Sequence, residues 1–214
     1  YAGLTTVDIS DPLHPRALAA WEGGGVVDVV TGDGYAYLAQ GQSGIVVLDV
    51  SSPADPFEVT TYQSRGGVLG LSLSGDILVS SEDETGLGVV DIANPTSPIE
   101  LGYLEVSDRE LTAVDVAADR AVVADRDDAL LVVDLSAPES PSVLGSLAGL
   151  EEPHDIVVDG NFAYVAEWGG TIAVVDVSDP TAPVVAADPS SISGGFCDDV
   201  ALGSGVVMLA KSNE

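Results

Sequence analysis

One cysteine, Cys197, occurs in 214 residues, so the chain has no intramolecular disulfide and no cysteine-rich zinc site. Basic residues are nearly as scarce. Six Lys and Arg stand against 35 Asp and Glu, Lys211 is the single lysine, and the net charge is −29. Such a surface repels phosphate backbones and anionic headgroups, which argues against nucleic acid and lipid surfaces as partners. Hydrophobic residues make up 46% of the chain, enough for a core, yet no run approaches the roughly 18 apolar residues of a membrane span. The chain begins at Tyr1 without a charged-then-apolar leader, so a signal peptide is expected to have been removed or not included. Helical 3.6-residue periodicity is missing too, and β-branched residues fill the apolar runs, which leaves an all-β chain.

What is present is repetition. Five phrases align on an aspartate: "LTTVDISDPLHP", "IVVLDVSSPADP", "LGVVDIANPTSP", "LLVVDLSAPESP" and "IAVVDVSDPTAP". The aspartates are Asp8, Asp49, Asp91, Asp134 and Asp176, spaced 41, 42, 43 and 42 apart. A second phrase recurs between them, as in "VVDVVTGDGYAYLA" and "HDIVVDGNFAYVA". A fixed period of this length implies stacked supersecondary units. Each unit reads as four short strands. Strands A and B are joined by Gly/Asp/Asn hairpins such as those at 32–34 and 159–161, strand C is the Val-rich phrase, and strand D follows the second proline. Strand C is apolar on both faces and so needs cover on both, which blades packed face to face supply.

The chain begins in a strand C and ends just after a strand B. The expected fold is therefore a five-bladed β-propeller of four-stranded antiparallel blades, closed by a composite blade from residues 1–22 and 197–214. The four complete blades fall at about 23–65, 66–107, 108–150 and 151–196, in a single domain over 1–214. The five strand C aspartates are expected to be buried and to accept N–H bonds from the following turn, a scaffold role. The prolines then end strand C and set the entry to strand D.

At these phrases the chain resembles the LVIVD-repeat proteins, whose name is the strand C motif, here "IVVLD", "LGVVD", "LLVVD", "IAVVD" and, more weakly, "LTTVD". The resemblance runs over essentially the whole chain. It implies a β-propeller, secreted or at the cell surface, with no established activity, cofactor or catalytic residues to carry over. Members are often longer than this chain. WD40 and kelch signatures are missing, so signalling-scaffold analogies have no support.

Candidate site residues lie where units differ. The A–B hairpins and C–D turns are uniform and fall on one face. The D–A connections and B–C loops fall on the other and vary, from "AWEGGG" to "YLEVSDRELT". Two acidic loops there, Glu82, Asp83, Glu84 and Asp125, Asp127, Asp128, have the oxygen-rich chemistry of a calcium site, without a full EF-hand pattern. Solvated loops are the simpler reading. Trp21, His154, Glu167, Trp168, Phe196 and Asp198 gather as a candidate platform for a sugar or peptide, against the alternative that the tryptophans only cover blade edges. Asp28, Asp115, Asp155 and Asp199 start the A strands that line a propeller's channel, with Gly70 breaking the series.

The function expected is a non-enzymatic extracellular or cell-surface binding scaffold with a variable acidic face. Its partner is a protein or glycan; it inserts in no membrane, requires no cofactor, and has calcium as a candidate ion. The alternative is a structural building block that meets other domains or copies in a surface layer or appendage. An enzyme of the glycoside-hydrolase type, with carboxylates at the channel mouth, is weighed third, since no serine elbow, HExxH or phosphate loop occurs.

Overall fold

A computed structural model describes residues 3–106, 109–127, 129–187 and 196–212. Four complete blades follow one another, each a meander of four antiparallel strands whose sheet order matches chain order. Blade one comprises β3 (Asp28–Gly32), β4 (Tyr35–Ala39), β5 (Ile45–Asp49) and β6 (Phe57–Tyr62). Blade two comprises β7 (Val68–Ser74), β8 (Ile77–Glu82), β9 (Gly86–Asp91) and β10 (Ile99–Glu105). Blade three is formed by β11 (Leu111–Ala117), β12 (Arg120–Asp125), β13 (Ala129–Asp134) and β14 (Ser142–Ala148). Blade four is formed by β15 (Pro153–Asp159), β16 (Phe162–Glu167), β17 (Ile172–Asp176) and β18 (Val184–Ala187).

The fifth unit lies as two halves. Strands β1 (Leu4–Asp8) and β2 (Arg16–Trp21) form one two-stranded sheet, and β19 (Phe196–Gly203) and β20 (Val206–Ser212) form another. The first packs Leu4 and Trp21 on the Ala36, Leu38, Val46 and Leu48 face of blade one. The second packs Cys197, Val200, Val207 and Leu209 on Ala166 and Ile172 of blade four. The phase read from the ends is thus present as its two halves, while no ladder joins β20 to β1 among the described residues. Residues 1–2 and 213–214, at the expected joint, lie outside those described. All five A strands contribute to one central cavity, from Val27 and Asp28 round to Asp198 and Asp199, which fixes the five-bladed arrangement.

Strands B and C carry the core. Their apolar side chains point to both sheet faces, and clusters such as Val79, Val89, Val123 and Leu131 span two blades. Gly102 of β10 lets the next blade approach, since a Cβ there would lie 2.2 Å from the Pro138 carbonyl oxygen; Gly145 does the same toward Pro180 at 2.5 Å.

The strand C aspartates each accept an N–H bond from the residue two positions on: Ser10 (3.0 Å), Ser51 (2.9 Å), Ala93 (2.8 Å), Ser136 (2.9 Å) and Ser178 (2.9 Å). The Asx-turn role is as expected, but burial is not: all five are half-exposed. They end the strand at the disc surface, where desolvation opposes their charge less than the turn's hydrogen bonds favour it. Hydrogen bonds from Ser10, Ser51, Ser136 and Ser178 accordingly hold Asp8, Asp49, Asp134 and Asp176 below the usual carboxylate range.

Four of the five A–B hairpins have two-residue loops whose first residue is left-handed, Asp33 (φ 49°), Gly75 (φ 57°), Ala118 (φ 58°) and Gly160 (φ 59°), while between β19 and β20 it is the second, Gly205 (φ 73°). Ala118 places a β-carbon in a backbone region that favours glycine or Asx. Ala118→Gly is therefore expected to stabilise the fold by about 0.5–1 kcal/mol, read as a higher denaturant midpoint at unchanged slope.

Candidate functional site

The register of the A–B ladders places Asp28, Gly70, Ala113, Asp155 and Asp199 at one level, opposite Ala39, Ser81, Ala124, Ala166 and Ala210. Asp115 does not belong to that ring. It sits two residues further along its strand, opposite Val122, at the level of Ser72, which faces Val79. The "VDV" around Asp115 imitates the sequence around Asp28 and conceals the offset.

The two levels perform one task. Leu71 N–H donates to Asp28 Oδ2 (2.7 Å), Val116 N–H to Ser72 Oγ (3.0 Å), Val158 N–H to Asp115 Oδ2 (2.7 Å), and Val200 N–H to Asp155 Oδ2 (2.8 Å). Each bond ties an A strand to the A strand of the next blade, so the four successive seams carry one lock apiece. Where Gly70 supplies no acceptor, Ser72 supplies it one level down, and its hydroxyl donates to Asp115 Oδ1 (3.0 Å).

At the mouth of this channel a cavity of about 240 Å³ is lined by Asp28, His154, Asp155, Asp198 and Asp199 among others. The Asp199 carboxyl lies beside Asp155 in this cavity. Burial first, and then Asp199, push Asp155 up to about 7. Burial also raises Asp28, with Asp199 adding to it.

The predicted acidic loops divide. Glu82 is almost wholly buried and accepts N–H bonds from Arg65 (3.0 Å) and Gly66 (2.8 Å), with Ser80 Oγ at 3.1 Å. Burial is the main cause that raises it. Asp125 is fully buried, ion-paired with Arg109, and accepts the Asp127 N–H (3.1 Å). Glu167 accepts the Glu151 N–H (2.9 Å) and the Thr171 hydroxyl (2.8 Å). These three occupy one register position at the end of strand B, shared by Gln40, which donates to Gly23 O (3.0 Å), and Lys211, which donates to Gly170 O (2.6 Å). Their work is to hold loop backbone, and the polar residue recurring after each strand B was the signal for it. Asp83 is half-buried, Glu84 and Asp127 are exposed, and Asp128 lies outside the described residues. Among the described residues no group of three or more His, Cys, Asp and Glu is arranged to hold a metal ion.

The aromatic platform is narrower than expected. His154 and Trp168 stack at 4.8 Å between ring centroids, and Trp168 meets Phe196 at 4.2 Å. Trp168 stays 38% exposed at the start of a B–C loop, held there by its N–H, which is shared between the Glu151 and Glu152 carbonyls (3.1 Å each). His154 joins this column to the acidic cavity. Its Nε2 is buried without a hydrogen-bond partner among the described residues, and burial lowers its pKa. Trp21 is elsewhere: it covers the face of blade one, its ring so close to Gly23 that a Cβ there would lie 1.7 Å from it. A site that sequence reasoning missed is at Arg65, where the guanidinium lies 4.3 Å from the Tyr103 ring centroid and pairs with Glu100.

A propeller of these repeats has known kin. The LVIVD repeat is matched at residues 1–18, 23–64, 66–106, 112–148 and 152–188, and the chain belongs to that family. No curated protein sequence matches it as a relative. Among solved structures it is similar to the computationally designed Ika8 protein (TM-score 0.70, 16% identity, 91% of this chain and 58% of that one). It is also similar to BamB from Moraxella catarrhalis (TM-score 0.62, 14% identity, 86% and 54%) and to Citrobacter koseri AztD (TM-score 0.53, 20% identity, 85% and 52%). The chain spans little more than half the length of each, and the likeness at this identity is one of fold.

The Asp155–Asp199 pair makes stability depend on pH with a definite sign. A carboxyl raised in the folded state contributes fully below its unfolded value near 3.8 and loses that contribution as pH rises through about 7. Wild-type stability is expected to fall between those limits, and Asp155→Asn, which keeps an acceptor for Val200 N–H but carries no charge, should flatten the fall. Urea unfolding of both proteins from pH 4 to 8 measures it. A parallel slope in the two would show that Asp155 is not the group responsible.

Proposed function

We propose that the chain is a non-enzymatic binding scaffold that works outside the cell or at its surface and presents the D–A and B–C loops to a protein or glycan. The observation that carries this reading is the stacked column of His154, Trp168 and Phe196, with Trp168 partly exposed beside the open acidic cavity. Flat rings on a rigid frame offer apolar area at little entropic cost, and the carboxylates beside them accept hydrogen bonds from hydroxyl or amide groups. The propeller-repeat fold supports a binding role at the coarser level. Among the described residues no helix is long and apolar enough to cross a membrane.

One further point supports the reading. The excess of acid is in turn suited to solvation in concentrated salt, with no cofactor required. Because Glu82 and Asp125 are committed to loop N–H groups and Arg109, the unfolding midpoint is expected to follow total ionic strength and not calcium; a saturable calcium shift at fixed ionic strength would place an ion in these loops after all.

For the ligand itself, chitohexaose, cellohexaose and maltohexaose are titrated by calorimetry against wild type and Trp168→Ala. Saturable binding of one sugar, weakened about tenfold or more by the substitution, is expected for a platform of this kind. Equal affinity in the two proteins would remove Trp168 from the site. The building-block reading is favoured by one observation: β1 and β20 have free ladder edges among the described residues, with Val7, Val206 and Met208 exposed. Concentration-dependent assembly in sedimentation experiments would support it.

A further inference from the structure

The seams between blades differ at one place on the hairpin face, remote from the loops just discussed. The hairpin-proximal end of the seam is filled from two positions of strand B and from two of the next blade. Between blades one and two these are Tyr35 and Tyr37 against Leu73 and Ile92. Between blades two and three they are Ile77 and Val79 against Val116 and Leu135. Between blades three and four the same registers hold Arg120 and Val122 against Val158 and Val177. Two phenol rings have become one valine and a charged chain. A cavity of about 300 Å³ opens there, walled by Val122, Val132, Val158 and Val177, with Asp119 and Arg120 on its rim. That is the lower end of the size range of small-molecule sites.

Among the described residues Arg120 is one of two arginines without a hydrogen-bonded acid; the other, Arg16, lies 3.8 Å from Asp8 on the exposed strand β2. In a chain with 35 acids, Arg65, Arg109 and Arg126 each hydrogen-bond a carboxylate. The Arg120 guanidinium makes no hydrogen bond among the described residues: Asp119, itself largely exposed, is 3.9 Å from Nε, and Asp134 feels its charge across the ladder. Its fork of N–H donors is therefore available at the rim of an apolar cavity, the arrangement that a carboxylate recognises by paired hydrogen bonds.

We propose that this cavity is a binding site for a small organic carboxylate with a phenyl-sized apolar body. The body takes the place that Tyr37 fills in blade one, and the carboxylate meets Arg120 by displacing the weak contact with Asp119. This is independent of the loop-face reading and stands or falls without it.

The probe is phenylacetate, with phenylacetamide as its uncharged isostere, followed by NMR of the methyl groups of Val122, Val132, Val158 and Val177. Wild type is expected to show saturable shifts at these methyls, with phenylacetate bound several-fold tighter than the amide. Val122→Tyr puts back the residue of blade one and should weaken both probes about tenfold or more. Arg120→Ile, the residue of blade two, should abolish the preference for the acid while keeping the amide. Both variants import residues the fold already accepts at this register, and their unfolding midpoints verify folding. Absence of saturable shifts in wild type, equal binding by Val122→Tyr, or equal affinity for acid and amide would each overturn the proposal.

Discussion

The bond from a strand A acceptor to the N–H of the next blade's strand A sets the geometry of the whole disc. Apolar contact between blades is strong but has no direction, and two valine-covered sheets could slide by a residue at little loss. One hydrogen bond per keyed seam, worth about 1.5–3 kcal/mol where the acceptor is an aspartate and less at Ser72, selects the register. The acceptor must reach across from the innermost strand, so it is short, Asp or Ser, and lies where solvent is partly excluded. The carboxylates at the channel mouth are thus a consequence of how the blades are keyed together. Their raised pKa values follow from the same placement.

The fifth unit shows what that keying leaves undone. Asp199 stands at the level of Asp28 and Asp155, beside the seam between β19 and β3 of blade one. The Val29 N–H, the counterpart of the locks used elsewhere, is taken by Asp28 Oδ1 at 2.7 Å. Asp199 is left beside Asp155, where it adds to the burial that raises that carboxyl. An unkeyed seam and a raised carboxyl are two aspects of one arrangement.

The repeat unit was legible in the sequence because it rests on local chemistry. The Asx turn after strand C needs only an aspartate and the residue two places on, and the proline before strand D fixes its own φ. Burial of those aspartates was misjudged because an apolar flank says which sheet the residue ends, not how deep its tip lies. The locks and loop supports were beyond reach for a different reason. Asp115 is two residues out of phase with Asp28, and only the ladder opposite Val122 reveals it. Glu82, Asp125 and Glu167 look like surface acids in a string of letters, but each has a partner sixteen or seventeen residues away, backbone N–H for the two glutamates and the Arg109 guanidinium for Asp125. Of the aromatic group, His154, Trp168 and Phe196 converge because a B–C loop, the start of β15 and the first residue of β19 share one corner. Trp21 leads into a different corner.

In a protein of near-identical units, residue type is a poor guide to a site, because the frame uses the same types many times over. Aspartate appears in turns, locks and supports, and tryptophan covers a blade edge as readily as it offers a platform. Departure from the repeat at a fixed register carries more information, since the neighbouring blades state what the scaffold alone requires there. By that measure Gly70 is not a departure, because Ser72 restores the lock one level down. Replacement of Tyr35 and Tyr37 by Arg120 and Val122 is one: nothing refills the space, and a charge with no hydrogen-bonded acid appears beside it. The His154–Trp168–Phe196 column is another, on the opposite face. A scaffold that needed only to be stable would have closed the first and had no use for exposing the second.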